Sequence, residues 1–142
     1  MRSIIILACL AVTVLSCNKT AKETATSEPD MMKEVMAVHD ELMPKMGEMG
    51  MLITKLENKA ATAEAPEKYT EAKEGLQEGY DAMMTWMQDF GTRFSMEDIH
   101  KGKELSPEKK ELLKEEMKSV KALKDKMLGS IKTAKEVLAA NE

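Results

Sequence analysis

The sequence predicts an all-α protein, an antiparallel three-helix bundle standing behind an N-terminal signal peptide and a flexible tether. Three observations carry that expectation. Apolar residues recur in alternating steps of three and four along three segments, the spacing of one helix face. Two turn-like stretches, residues 57–65 and 92–105, separate those segments, short enough to fold consecutive helices back on one another. No stretch alternates with period two for long enough to argue a strand. The 142 residues carry a net charge of −4 and only 4% aromatic side chains, which suits one small domain and lacks the basic character of a nucleic-acid binder.

The first element precedes the bundle. Arg2 is followed by an uncharged apolar run at residues 4–15 (IIILACLAVTVL) and then by Ser16 and Cys17. A helix of that run spans about 18 Å, well short of the roughly 30 Å hydrocarbon core of a bilayer, so it reads as a secretory signal and not as a membrane span. Val14-Leu15-Ser16-Cys17 resembles a bacterial lipobox, in which the cysteine thiol is diacylated and becomes the first residue of the mature chain. Leu15 is larger than the residue commonest at its position. On this reading Cys9 leaves with the signal and Cys17 carries lipid, so the mature chain keeps no thiol for a disulfide, a metal or nucleophilic attack. Arg2 leaves too, and the mature chain holds 20 basic against 25 acidic residues.

Residues 18–29 (NKTAKETATSEP) contain no large apolar side chain and cannot bury enough surface to offset the entropy of ordering. They read as a tether, with residues 17–29 linking the lipid to a domain over 30–142. Helix one follows, with Met32, Val35, His39, Leu42, Met46, Met49, Ile53 and Leu56 along its inner face. Ser27 or Asp30 is placed to cap it. Pro44 predicts a kink, because its ring clashes with the carbonyl four residues back and it donates no hydrogen bond. Gly47 and Gly50 soften the next turn, so two segments continuing one another are expected.

Pro66 stands near the start of helix two, whose inner face is Tyr69, Ala72, Leu76, Gly79, Met83, Trp86 and Phe90, widened by Tyr80 and Met87 and ended by Gly91. The stretch 94–99 is expected to form a turn of helix under the bundle. Ser106-Pro107-Glu108 combines a hydroxyl cap, a proline at the first helical position and an acid in the first turn. Helix three then presents Leu113, Met117, Val120, Leu123, Met127, Ile131, Ala134 and Leu138 inward, with a weak point at Gly129-Ser130. The Lys/Glu mixtures at 109–111 and 114–116 read as solvated outer surface.

Residues 32–47 (MKEVMAVHDELMPKMG) and 82–90 (AMMTWMQDF), behind a short signal ending Leu-Ser-Cys, resemble a family of small helical lipoproteins from Bacteroidota. Its members often carry the automatic label "viral A-type inclusion protein", which reflects coiled-coil-like composition and not a viral role. The resemblance implies a helical fold and an envelope localisation, and brings no activity with them. Asn18-Lys19 differs from the acidic tracts that resemble surface-export signals in that phylum, which favours an outer-membrane anchor facing the periplasm.

Chemistry has few candidates. Seven of the 14 methionines fall within residues 31–51. At 100° per residue Met32, Met36, His39, Met43 and Met46 share an arc of about 80°. Thioethers and imidazole suit Cu(I), or haem iron by axial ligation, which makes His39, Met36, Met43 and Met46 a candidate metal site, with Met83, Met84 and Met87 able to face it. Against this stands methionine's ordinary use as an adaptable core filler. Glu97-Asp98-Ile99-His100 has the Glu-x-x-His spacing of di-iron bundles, but those need a second such motif, and His39 has Met36 three residues before it. No Cys-x-x-Cys-His is present to attach a c-type haem, and no Gly-rich loop or Gly-x-Ser-x-Gly elbow to support catalysis. The leading expectation is therefore a non-catalytic, lipid-anchored bundle that works by protein contact in the bacterial cell envelope, with Trp86, Phe90 and Phe94 as interaction anchors. A small periplasmic copper- or haem-binding protein is the alternative, and no cofactor is expected in the leading case.

Overall fold

The computed structural model describes residues 27–101 and 104–140. The expected signal, Cys17 and the tether up to residue 26 lie outside the described residues. Four helices follow: α1 (Glu28–Ala60), α2 (Glu67–Arg93), a five-residue α3 (Met96–His100) and α4 (Pro107–Ala139). The three long helices all pack on one another, and no helix among the described residues is long and apolar enough to cross a membrane. Contacts set their directions. His39 lies beside Trp86 and Met49 beside Gly79, so α1 and α2 run antiparallel. Glu34, Glu41 and Glu48 of α1 pair with Lys121, Lys124 and Lys135 of α4, so these two run parallel in an up-down-up bundle.

The core forms because each long helix has one apolar stripe to dehydrate. From α1 come Met32, Val35, Leu42, Met46, Met49, Leu52 and Leu56, and from α2 Tyr69, Ala72, Leu76, Met83, Trp86 and Phe90. The third stripe is Leu113, Val120, Leu123, Met127, Ile131 and Ala134 of α4, while Phe94 and Leu105 close one end. Gly79 is buried against Met49 of α1 and Met127 and Ser130 of α4. A Cβ there would sit 2.9 Å from the Met49 methyl and 3.3 Å from the Ser130 hydroxyl, so only glycine fits without displacing a neighbour.

Several boundaries differ from the expectation. α1 is a single helix from Glu28 to Ala60, passing through Pro44, Gly47 and Gly50, instead of two segments. Pro44 is exposed, and tertiary burial on the opposite face holds the turn that proline weakens. Ser27 makes no capping hydrogen bond to the backbone; its hydroxyl donates to the Asp30 carboxylate at 2.5 Å. Gly91 does not end α2, which continues to Arg93 because Phe90 and Phe94 are both drawn into the core. α4 likewise continues through Gly129 and Ser130.

The link between α2 and α4 is pinned electrostatically. Ser95 and Asp98 form a capping box at the start of α3, and Lys109 in the first turn of α4 donates to the same Asp98 carboxylate. The Lys109 hydrogen bond, followed by those from the Ser95 hydroxyl and backbone N–H, lowers the Asp98 pKa from 3.8 to about 2. This is what occupies the Glu-x-x-His segment: Glu97 pairs with Lys101 at 2.9 Å and His100 is exposed.

Two outcomes follow. Pro44→Ala should raise helicity and stabilise the fold by up to about 3 kcal/mol, measured by circular dichroism and chemical denaturation, and an unchanged spectrum counts against a bend at Pro44. Because the folded Asp98 pKa is depressed, its contribution to stability is fully present above pH 4 and is lost as pH falls towards 2. The melting temperature of Asp98→Asn should therefore fall less steeply between pH 4 and pH 2 than that of the parent chain.

Candidate functional site

The three seams between the long helices differ in character. The α1–α4 seam is rimmed by ion pairs at 2.9, 2.7 and 2.6 Å, and the α2–α4 seam by Glu78–Lys126 at 3.1 Å and Arg93–Glu116 at 2.6 Å. Among the described residues no ion pair joins α1 to α2. The exposed pairs among these add only about 0.2–1 kcal/mol each, and their arrangement matters more for orientation than for stability. What lines the outer α1–α2 seam instead follows from helical geometry. Met36, Met43, Gly47 and Gly50 span an arc of about 60° on α1, on the flank away from its α4-pairing glutamates, and Tyr80, Met84, Met87 and Gly91 span a similar arc on α2. Met43, Tyr80 and Met84 are 41%, 37% and 50% exposed, whereas Met36 and Met87 are half-buried against the core.

This splits the methionine–histidine arc read from the sequence. Met32 and Met46 turn inward and are buried, as is Met83, so Met46 belongs to the packing and not to an accessible ligand set. Met36 and Met43 stay on the outer flank of α1, and helical geometry puts Met84 and Met87 on the flank of α2 that borders the same seam. His39 sits at the boundary with its side chain 18% exposed. Its Nδ1 lies 3.0 Å from an Asp40 carboxylate oxygen, and its ring centroid is 5.9 Å from that of Trp86. No three His, Cys, Asp or Glu side chains come together as a metal-holding group among the described residues.

The aromatic residues occupy a different place from the one expected. Trp86, Phe90 and Phe94 form a ladder with ring centroids 5.0 and 4.9 Å apart, and all three are buried inside the bundle. They are not displayed as surface anchors, because the core stripe of α2 points them inward and packing there removes some of the largest apolar surfaces in the chain from water.

Trp86 also ends a polar chain that the sequence reading missed. Its indole N–H donates to the Ser119 hydroxyl at 3.1 Å, and that hydroxyl lies 3.1 Å from a Glu116 carboxylate oxygen. The other Glu116 oxygen accepts from the Arg93 guanidinium at 2.6 Å. The Glu116 side chain is only 2% exposed, while Arg93 reaches water. These four residues line one wall of a cleft of about 460 Å³ between α2 and α4, completed by Ala82, Thr85, Asp89, Ala122, Leu123 and Lys126. A signal existed: Leu113, Glu116, Val120, Leu123 and Met127 keep the three-four spacing without a break, so Glu116 and not Met117 holds the core position. Reading Lys114-Glu115-Glu116 as uniformly solvated surface hid it.

The pair is asymmetric, and its disruption should be too. Arg93→Met strands a buried carboxylate with only the Ser119 hydroxyl and should cost about 2 kcal/mol or more in denaturant unfolding. Glu116→Met puts an apolar side chain of similar volume into an apolar stripe and frees Arg93 into water, so it should cost less than about 1 kcal/mol. Equal losses would refute the asymmetry.

No family profile, curated protein sequence or solved structure matches the chain.

Proposed function

We propose that this chain is a lipid-anchored protein of the bacterial cell envelope, held to the membrane through Cys17 and acting by protein contact instead of catalysis, facing the periplasm from the outer membrane. The observation that favours contact is the outer α1–α2 seam, where Met43, Tyr80 and Met84 meet solvent without the ion-pair rim that borders the other two seams. Methionine side chains are flexible and polarisable, which suits a surface that repacks against a partner. Gly47, Gly50 and Gly91 add to this. Nothing in the fold lies within 4 Å of a Cβ built at any of them, so no packing inside the bundle requires glycine there, yet each costs about 1 kcal/mol in a helix interior relative to alanine. Small residues at these positions leave room for a partner's backbone to approach.

Anchoring and contact are tested separately. Cys17→Ser should release the chain from membrane pellets or leave it unprocessed, and retained membrane attachment would refute the anchor. A photo-crosslinking amino acid at Met84, used in intact cells, should give a discrete adduct absent when the same group replaces Lys118 on the outward face of α4; identical patterns from the two positions would refute a contact surface at this seam.

A further inference from the structure

The outer α1–α2 seam carries chemistry beyond a contact surface. The register that sets His39 beside Trp86 and Met49 beside Gly79 brings Met43 level with Met84, and Met36 within about one helical turn of Met87. Met36 and Met43 stand three residues before and four residues after His39 on the same side of α1, with Met43 leaning back toward its level. Four thioethers and one imidazole thus gather on one solvent-reachable strip.

The neighbourhood suits a soft ion and disfavours a hard one. Thioether sulfur selects Cu(I) and similar soft monovalent ions, and imidazole is compatible with them. Asp40, the carboxylate closest to the strip's histidine, is bonded to His39 Nδ1 at 3.0 Å. With the proton on Nδ1 donated to Asp40, Nε2 keeps its lone pair, the arrangement in which a carboxylate orients a metal-binding histidine. The sequence alone pointed to Met46 as a fourth ligand. The fold withdraws it into the core and supplies Met84 and Met87 from the neighbouring helix.

We propose that His39 and thioethers drawn from Met36, Met43, Met84 and Met87 form a binding site for one soft monovalent cation; on the envelope reading proposed above, Cu(I) is the ion of this class available to it. The site needs no protein partner and stands whether or not one docks on the seam. Its ligands come from two helices, so binding clamps α1 to α2 along the seam where the described residues show no ion pair.

The test uses the full chain with Cys9→Ser and Cys17→Ser, which removes both thiols as competing soft ligands, and methionines labelled at the methyl carbon. Titration with Ag(I), a redox-inert stand-in for Cu(I), should shift the methyl resonances of Met36, Met43, Met84 and Met87 and saturate at one equivalent. Met51 and Met96, exposed elsewhere, should not move. Met43→Leu combined with Met84→Leu should weaken Cu(I) affinity, measured against a colorimetric chelator, by about tenfold or more, and Asp40→Asn by about tenfold through the histidine it orients. Met51→Leu with Met96→Leu should leave affinity within about twofold. Shifts that do not saturate, or that move Met51 and Met96 equally, overturn the site. So does equal affinity in the seam and control variants. Because the purified chain is used alone, a failed titration leaves the crosslinking result untouched.

Discussion

Every other feature of this fold depends on one constraint: three long helices must each remove a single apolar stripe from water, and they can do so only against each other. Burial matters most in α1, which passes through a proline and two glycines without breaking. Burial of the inner face holds that helix together. The same burial sets axial register, with the Met49 methyl and the Ser130 hydroxyl packed 2.9 and 3.3 Å from where a Cβ would stand at Gly79. Once register is set, the positions of all flanking residues follow from helical geometry.

The flanks then divide the surface into unequal parts. Acids spaced seven apart on α1, Glu34, Glu41 and Glu48, meet lysines of α4, while α2 meets α4 through Glu78–Lys126 and the buried Glu116. The remaining seam keeps methionine, tyrosine and glycine. Trp86 stands between the two regions. Its indole N–H is tied to Ser119 and Glu116 on the α4 side, and its ring lies beside His39 on the α1 side. As the only tryptophan in the chain, it is also a built-in fluorescent reporter for both.

Legibility varied by helix for identifiable reasons. The inner face of α2 could be read residue for residue, because its stripe is uninterrupted and none of its members is charged. In α1 the reading drifted near the end, where Leu52 is buried and Ile53 only partly so. A straight 3.6-residue helix precesses relative to a strict heptad, and both residues are apolar, so spacing alone could not choose. In α4 the periodicity was right and the chemistry was misjudged. A glutamate at a core position is so costly without a partner that it reads as surface, and its partners, Arg93 and Ser119, lie 23 and 3 residues away. The methionine cluster was legible as a concentration on α1 but not as a site, since its other half lies on a different helix.

By itself the sequence determined that the described chain is helical, roughly where its long helices lie and most of the stripe that each buries, because these follow from local spacing and from the free energy of dehydrating apolar groups. Tertiary structure decided which flanks meet. Spacing along one helix says nothing about the neighbour across the groove. Only packing could bring the Met84 and Met87 flank of α2 alongside the Met36 and Met43 flank of α1, and bury Glu116 beneath Arg93.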